Sequence, residues 1–266
     1  MNYNITARQQ HEKEYYNKYV RTVINTPVNF APVLGKEKRP WNSYWTVYHI
    51  ATELYKGHGQ TLLDLGCGDG RSCLRFAKIG YQVTGCDISE GNVQQCRKLA
   101  LEYGFQSQIS CSLAVAEQLD YKDESFDLVV GIDVLHHVEI APALLEVRRV
   151  LKCGGSAIFR DPVEIPVFDV LRKTRLVTCF FPMGMSFEDQ RTADEIKLNK
   201  NDLITIRTIF SEYEEHRYLM LARLHKIFHS HHPERPSRLE MIDHFIMQHL
   251  PFLHCIGGEI IHVLKK

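Results

Sequence analysis

The chain of 266 residues has no surplus of either charge: 32 Lys and Arg stand against 32 Asp and Glu. Proteins that bind nucleic acid through its phosphates need a basic excess, so this balance argues against a polyanionic partner. Long apolar runs are also missing, and none approaches the roughly 18–20 residues of a membrane helix. The polar start Met1-Asn2-Tyr3-Asn4 runs on into charged residues and has no signal-peptide pattern, so the reading is of a cytoplasmic chain. No C-x-x-C pair occurs among the eight cysteines (67, 73, 86, 96, 111, 153, 179, 255). They are expected to act as small buried hydrophobes rather than as a disulfide framework or a zinc site. Internal repeats and low-complexity segments are absent. What is present, 44% hydrophobic and 24% charged residues, supports a sizeable core. The length fits one large domain carrying an insertion.

Periodicity divides the chain. A helical pattern runs from Thr6 to about Ile24, and Pro27, Pro32 and Gly35 end it. Trp41 to Tyr55 reads as a second helix. From Thr61 to Arg160 short apolar strands alternate with helices, the pattern of a parallel sheet with crossover connections. The strands are expected at Thr61–Leu65, Gln82–Cys86, Ile109–Leu113, Phe126–Ile132 and Ser156–Arg160, with helices at Arg71–Ile79, Ser89–Tyr103 and near Pro142–Leu151. Ser89 and Gly104 suit the two caps of the middle helix. Asp161 to about Ile209 shows no strand pattern and reads as a cap built onto the sheet. Tyr213–Leu224 and Glu259–Lys265 read as two closing strands.

The most informative stretch is Leu62-Leu63-Asp64-Leu65-Gly66-Cys67-Gly68-Asp69-Gly70-Arg71. An apolar strand ends in a carboxylate, and alternating glycines then let the backbone turn and approach a ligand closely before a helix begins. Dinucleotide-binding loops look similar, but their G-x-G-x-x-G/A spacing needs Gly or Ala where Arg71 stands. Asp64 would also repel a pyrophosphate, whereas it suits a ligand bearing an ammonium and a sulfonium. About twenty residues on, Val83-Thr84-Gly85-Cys86-Asp87-Ile88-Ser89 ends a second strand in a carboxylate suited to ribose hydroxyls.

With these segments, together with AEQLDYKDESFDLVVGIDVLHHV and LLEVRRVLKCGGSAIFRDP, the chain resembles the class I S-adenosylmethionine-dependent methyltransferases. The likeness is greatest to the small-molecule "methyltransferase type 11" group. It implies an α/β fold: a Rossmann-like, doubly wound, mostly parallel sheet of seven strands. A helical cover (1–45) and a cap inserted after the fifth strand (162–209) would flank the core (46–161 and 210–266) within a single domain. The cofactor implied is S-adenosylmethionine. Asp64, Gly66, Cys67 and Gly68 would line its methionine portion, Asp87 its ribose and Ile88 its adenine. Ala116 and Glu117 would lie at the adenine edge, and Ile132 and Asp133 near the amino group and the methyl position. Val115 stands where relatives usually carry an acid, and Cys153 replaces the proline of a Leu-Lys-Pro-Gly-Gly turn.

Methyl transfer is an in-line displacement, so the protein must align the acceptor and deprotonate it when it is a hydroxyl. His136 and His137 are the candidate bases, or else they pack beneath the cofactor. Arg160 and Asp161 either face the acceptor, pair with each other or cap the following helix. Trp41, Tyr44 and Trp45 either roof the site or belong to the core. His225, His229, His231 and His232 lack the Glu of an H-E-x-x-H motif, and no metal is expected. The expected activity is methylation of a small molecule at oxygen. The alternatives are a protein or nucleic-acid acceptor, or a cofactor-binding partner subunit without turnover. Neither the acceptor nor the oligomeric state is legible.

Overall fold

The computed structural model describes residues 5–19, 27–35, 39–57, 59–165, 197–210, 212–220, 222 and 237–266. The His225–His232 cluster and most of the expected cap, residues 166–196, lie outside them. The elements in chain order are α1 (Ala7–Tyr19), α2 (Ser43–Leu54), β1 (Thr61–Leu65), α3 (Arg71–Ile79), β2 (Gln82–Asp87), α4 (Glu90–Glu102), β3 (Ile109–Leu113), β4 (Phe126–Ile132), α5 (Ile140–Val150), β5 (Leu151–Pro162), α6 (Lys200–Ile209), β6 (Glu212–Tyr218), α7 (Arg238–His249) and β7 (Glu259–Lys265). Short 3-10 turns cover Leu135–His137 and Pro251–Ile256.

Seven strands form one sheet in the order β3-β2-β1-β4-β5-β7-β6. The first five run parallel, and β7 pairs antiparallel with both β5 and β6. The order reverses beside β1, so the ends of β1 and β4 frame the cleft where open α/β sheets bind ligands. One face packs under α2, α3 and α4, with Trp45, Tyr48, Phe76 and Leu74 fully buried. The other packs under α5 and α6, centred on Val129, Leu144, Val147 and Phe159.

Local chemistry sets the boundaries. α2 starts at Ser43 because the Asn42 side chain accepts from Trp45 N, and Ser89 caps α4 in the same way through Asn92 N. β6 stops at Tyr218, short of the expected Leu224, where Leu219 turns left-handed at φ 58°. β5 begins at Leu151 and runs through the turn containing Cys153; Gly154 at φ 74° and a register shift opposite Phe126/Leu128 accommodate it.

Two expectations change. α6 falls within the segment assigned to the cap, yet Leu198, Ile206 and Phe210 are buried against the sheet. Residues 197–210 therefore form a crossover helix of the core. Cys96 of α4 and Cys111 of β3 are joined as a disulfide, where no disulfide was expected. Pairing of this kind joins neighbouring elements at a separation that no sequence spacing reveals. No helix among the described residues is long and apolar enough to cross a membrane.

Candidate active site

The first half of the site is made by main chain. Gly66, Gly68 and Gly70 all adopt left-handed backbone, at φ 69°, 53° and 90°. The Gly66 and Cys67 amides donate to the Cys86 carbonyl at 2.8 and 3.0 Å, which lashes the loop to the end of β2. Glycine is required twice over at position 66, because a Cβ would stand 2.7 Å from Val134 Cγ2. At Gly68 a Cβ would meet nothing within 4 Å, so the loop faces open space there.

Two carboxylates flank this loop. Asp87 Oδ2 accepts from Gly68 N at 2.9 Å, while Oδ1 accepts from Ser89 N at 2.8 Å and Asn92 Nδ2 at 3.1 Å. Burial raises its pKa, and these three donors oppose the rise. Asp64 lies beneath the loop, 1% exposed, where Ser72 Oγ donates to Oδ2 at 2.5 Å and Cys73 Sγ lies 3.2 Å from the same oxygen. Burial pushes its pKa up to about 6 against those hydrogen bonds. Cys67 is buried in the loop, and Ile88 is half-buried just beyond Asp87.

The second half is made by side chains. In the turn after β4, His136 Nδ1 lies 2.8 Å from Asp161 Oδ1, and the His136 amide donates to the same oxygen at 3.3 Å. Asp161 is fully buried at the end of β5, and its Oδ2 has no hydrogen-bond partner among the described residues. Burial raises its pKa in spite of the histidine. A carboxylate at Nδ1 favours the tautomer with the proton on that nitrogen. His137 is differently placed: Nε2 lies 3.2 Å from the Tyr16 hydroxyl, and Nδ1 lies 3.2 Å from Glu12 Oε2.

Arg160 pairs not with Asp161 but with Asp133, Nη1 reaching Oδ1 and Oδ2 at 2.6 and 2.5 Å. Its Nη2 lies 2.7 Å from Glu259 Oε2, and its Nε donates to Ser43 Oγ at 3.0 Å. Burial works against the guanidinium charge, but Asp133 and Glu259 outweigh it and raise the pKa. Asp133 holds a left-handed backbone at φ 57° with its carboxylate 41% exposed. Such strain in a non-glycine residue persists only where its surroundings fix it; here the Asp133 amide donates to the Arg160 carbonyl at 2.7 Å. Behind this pair, Asn42 Nδ2 donates to buried Glu240 Oε1 at 3.0 Å, and burial raises Glu240 to about 7.

α1 lies across both halves. Gln9 Nε2 donates to Glu117 Oε2 at 2.9 Å, Arg8 Nη2 to the His136 carbonyl at 3.0 Å, and Asn17 Oδ1 accepts from Ser89 Oγ and Gly91 N. Glu117 also accepts from the Glu139 amide at 3.0 Å, so its two carboxylate oxygens are committed to α1 and to the start of α5. Ala116 is buried beside it, and Ile132 is half-buried at the end of β4.

The aromatic residues of α2 do not join the site. Trp45 is fully buried with the Arg75 guanidinium 4.9 Å from its ring, and Tyr44 accepts from Arg75 Nη1 at 2.5 Å. This is helix-on-helix packing with a buried cation, so Trp45 belongs to the core. Trp41 is half-buried, its indole nitrogen having no hydrogen-bond partner among the described residues. The residues that sequence reading missed are Ser43, Glu240, Glu259 and the contacts of α1. They come from distant segments with no shared motif; the one local signal was the Ser237–Glu240 capping box.

Residues 63–159 match the family model described as "Methyltransferase domain". A ubiquinone biosynthesis O-methyltransferase of Idiomarina loihiensis is 36% identical over 102 residues, 38% of this chain and 42% of the relative. A 27-O-demethylrifamycin SV methyltransferase of Amycolatopsis mediterranei is 34% identical over 110 residues, 41% of this chain and 40% of the relative. The chain thus spans about two fifths of the curated relatives it matches. Over the whole chain the fold is similar to geranyl diphosphate C-methyltransferase from Streptomyces coelicolor, solved with Mg2+, geranyl diphosphate and S-adenosyl-L-homocysteine. The TM-score is 0.58 at 14% identity, covering 98% of both chains.

Proposed function

We propose that the chain, whose residues 63–159 match a methyltransferase family model, is a class I S-adenosylmethionine-dependent methyltransferase that methylates a small molecule at oxygen in the cytoplasm. The observation that carries the reading is the pairing of an open glycine loop between two carboxylates with a histidine oriented by a buried aspartate, at one edge of one sheet. The residues suit the cofactor. Gly68 leaves its ligand side open, and Asp64, once ionised, would offer its charge to an ammonium or a sulfonium. Gly66, Cys67 and Gly68 would follow the methionine portion, Asp87 the ribose, Ile88 the adenine, and Ala116 its edge. Glu117 would reach the adenine only if it exchanges its bond to Gln9.

When bound, S-adenosylmethionine supplies a methyl group already activated for displacement. The protein has to hold the acceptor in line and remove its proton. His136 Nε2 takes that proton, Asp161 keeps the proton of Nδ1 in place, and the imidazolium so formed stays beside a carboxylate. Asp133, fixed by Arg160, sets a half-exposed carboxylate at the end of β4. Neutral net charge and the small-molecule methyltransferases among the relatives favour a small acceptor over a polyanion.

Calorimetry with S-adenosylhomocysteine, followed by a screen for labelled methyl transfer into small-molecule extracts, tests the reading. Micromolar-range binding and a labelled product that alkali does not release as methanol are expected, since an ether survives where an ester does not. Absence of binding, or label transferred only to protein or nucleic acid, overturns it.

A further inference from the structure

Three of the cysteines meet beneath the glycine loop, and a fourth is bonded to one of them. Cys67 comes from the loop, Cys73 from the first turn of α3, Cys96 from α4 and Cys111 from β3. The sulfurs of Cys67, Cys73 and Cys96 all lie within 4.8 Å of one another and are buried. Cys111 adds a fourth sulfur through its bond to Cys96. We propose that, once the Cys96–Cys111 bond is reduced, these four residues bind one thiophilic divalent cation of the Zn2+ kind, which ties the glycine loop to α3, α4 and β3.

The backbone leaves room for this. A Cβ on Gly85 would stand 2.8 Å from Cys73 Sγ and 3.0 Å from Cys67 Sγ, so the strand carries no side chain where the sulfurs gather. A Cβ on Gly70 would meet Cys96 Cα, Cβ and Sγ at 2.6 to 2.7 Å. Four thiolates around Zn2+ need sulfur–sulfur separations of about 3.8 Å, from a Zn–S bond of about 2.3 Å and tetrahedral angles. The sulfurs of Cys67, Cys73 and Cys96, within 4.8 Å of one another, approach that spacing, and Cys111 has to swing to it once its bond to Cys96 is reduced. Asp64, Asp69 and Asp87 face Cys67, with Asp64 Oδ2 3.2 Å from Cys73 Sγ, and Arg97 Nη2 donates to the Cys111 carbonyl at 2.7 Å. The hydrogen bond with Cys73 lowers the Cys67 thiol pKa, but burial and the carboxylates outweigh it and raise that pKa, so the bound cation itself has to hold the thiolates. Soft thiolates in a closed, buried set select Zn2+ over Mg2+ or Ca2+.

The redox step balances with a dithiol reductant. Its two thiols give two electrons and two protons, the Cys96–Cys111 bond breaks into two thiols, and the reductant closes its own disulfide. Binding of the ion then displaces the thiol protons to solvent. The site adjoins the glycine loop through Cys67, and its test reads metal binding directly and does not depend on turnover.

The full chain, reduced by a phosphine and handled without oxygen, is titrated with Co2+ and then Zn2+. Thiolate-to-cobalt charge-transfer bands saturating at one ion per chain, and their loss on adding Zn2+, are expected. The unreduced chain should show neither. Cys153→Ser and Cys255→Ser, at exposed thiols, should keep the bands, and Cys67→Ser/Cys73→Ser should lose them together with any Zn2+-induced rise in melting temperature. If that pair of changes prevents folding, Cys111→Ser decides: a weaker, altered spectrum supports the four-sulfur site. No bands in the reduced chain, or bands unchanged by these substitutions, overturn it.

Discussion

At the ends of β1 and β2, positioning is the work of backbone: left-handed glycines, two amides on the Cys86 carbonyl, and an aspartate that accepts from the Gly68 amide. At the ends of β4 and β5 it is the work of charged side chains. Arg160 is held by Ser43, Asp133 and Glu259, which lie on three other segments, and His136 is held by Asp161. A backbone-built half resists substitution of most side chains but not of its glycines. A side-chain-built half fails when one buried partner is removed and the rest keep their charge. The contrast suits a proposed division of labour, one half for a cofactor shared across a family and the other for an acceptor particular to this chain.

The largest effect expected on stability is at Arg160. Arg160→Met leaves Asp133 and the nearly buried Glu259 without their cation and should cost about 3–5 kcal/mol in urea unfolding. Arg160→Lys should recover little of this, since one ammonium cannot span Ser43, Asp133 and Glu259 together. A loss below about 1 kcal/mol would remove the claim that this half rests on buried charge. Next comes His136, whose change to Ala should lower turnover about 10²–10⁴-fold while S-adenosylhomocysteine binds as before. Asp161→Asn should lower kcat as well, because an amide in place of the carboxylate no longer favours the tautomer with its proton on Nδ1. Full turnover in either variant would leave His136 as packing.

The same division explains what the sequence made legible. Asp64, the glycines and Asp87 sit within runs of a few residues, because a backbone-built site must be contiguous where it touches the ligand. The strands of that half were placed to within a residue for the same reason. Ser43, Glu240 and Glu259 had no such signal: each is one polar residue among many, and only the pairing of β5 with β7 and the packing of α2 bring them to Arg160. An aromatic near the N-terminus fits a roof or, more often, a core, and Trp45, fully buried with Arg75 beside its ring, packs in the core. The Cys96–Cys111 bond escaped because it joins two adjacent layers, which leaves no mark in spacing. α1 is polar on every side, and only its contacts with Glu117, Ser89 and His137 show where it docks.

Gly66→Ala tests the backbone-built half. The left-handed φ of 69° costs an alanine about 1–2 kcal/mol, and the contact with Val134 Cγ2 adds about 1 kcal/mol or more. A total near 2–3 kcal/mol is expected in denaturant unfolding. Val134→Ala in the same chain should return only the steric part. Complete rescue would mean that φ is not the constraint, and no rescue would mean that the contact is not.

The smallest effect separates the two carboxylates of that half by pH. Asp64 has a folded pKa near 6 against an ordinary value of 3.8, so the folded chain holds its proton more tightly than the unfolded chain. Its contribution to stability therefore falls as pH rises from about 4 to about 6 and stays reduced above that. Cation binding runs the other way, because only the ionised carboxylate attracts a sulfonium or an ammonium. At pH 5, one unit below the folded value, about one chain in ten carries the charge, so affinity for S-adenosylmethionine should fall up to about tenfold from its value at pH 7. Asp64→Asn should flatten this slope and raise the stability of the free protein at pH 7 together, since it removes a buried charge and keeps an acceptor for Ser72. Calorimetry across pH 5–8, with melting curves at the same points, reads both. A slope that survives the substitution transfers the titration to Asp87, whose pKa burial also raises, and places the decisive charge above the loop rather than beneath it.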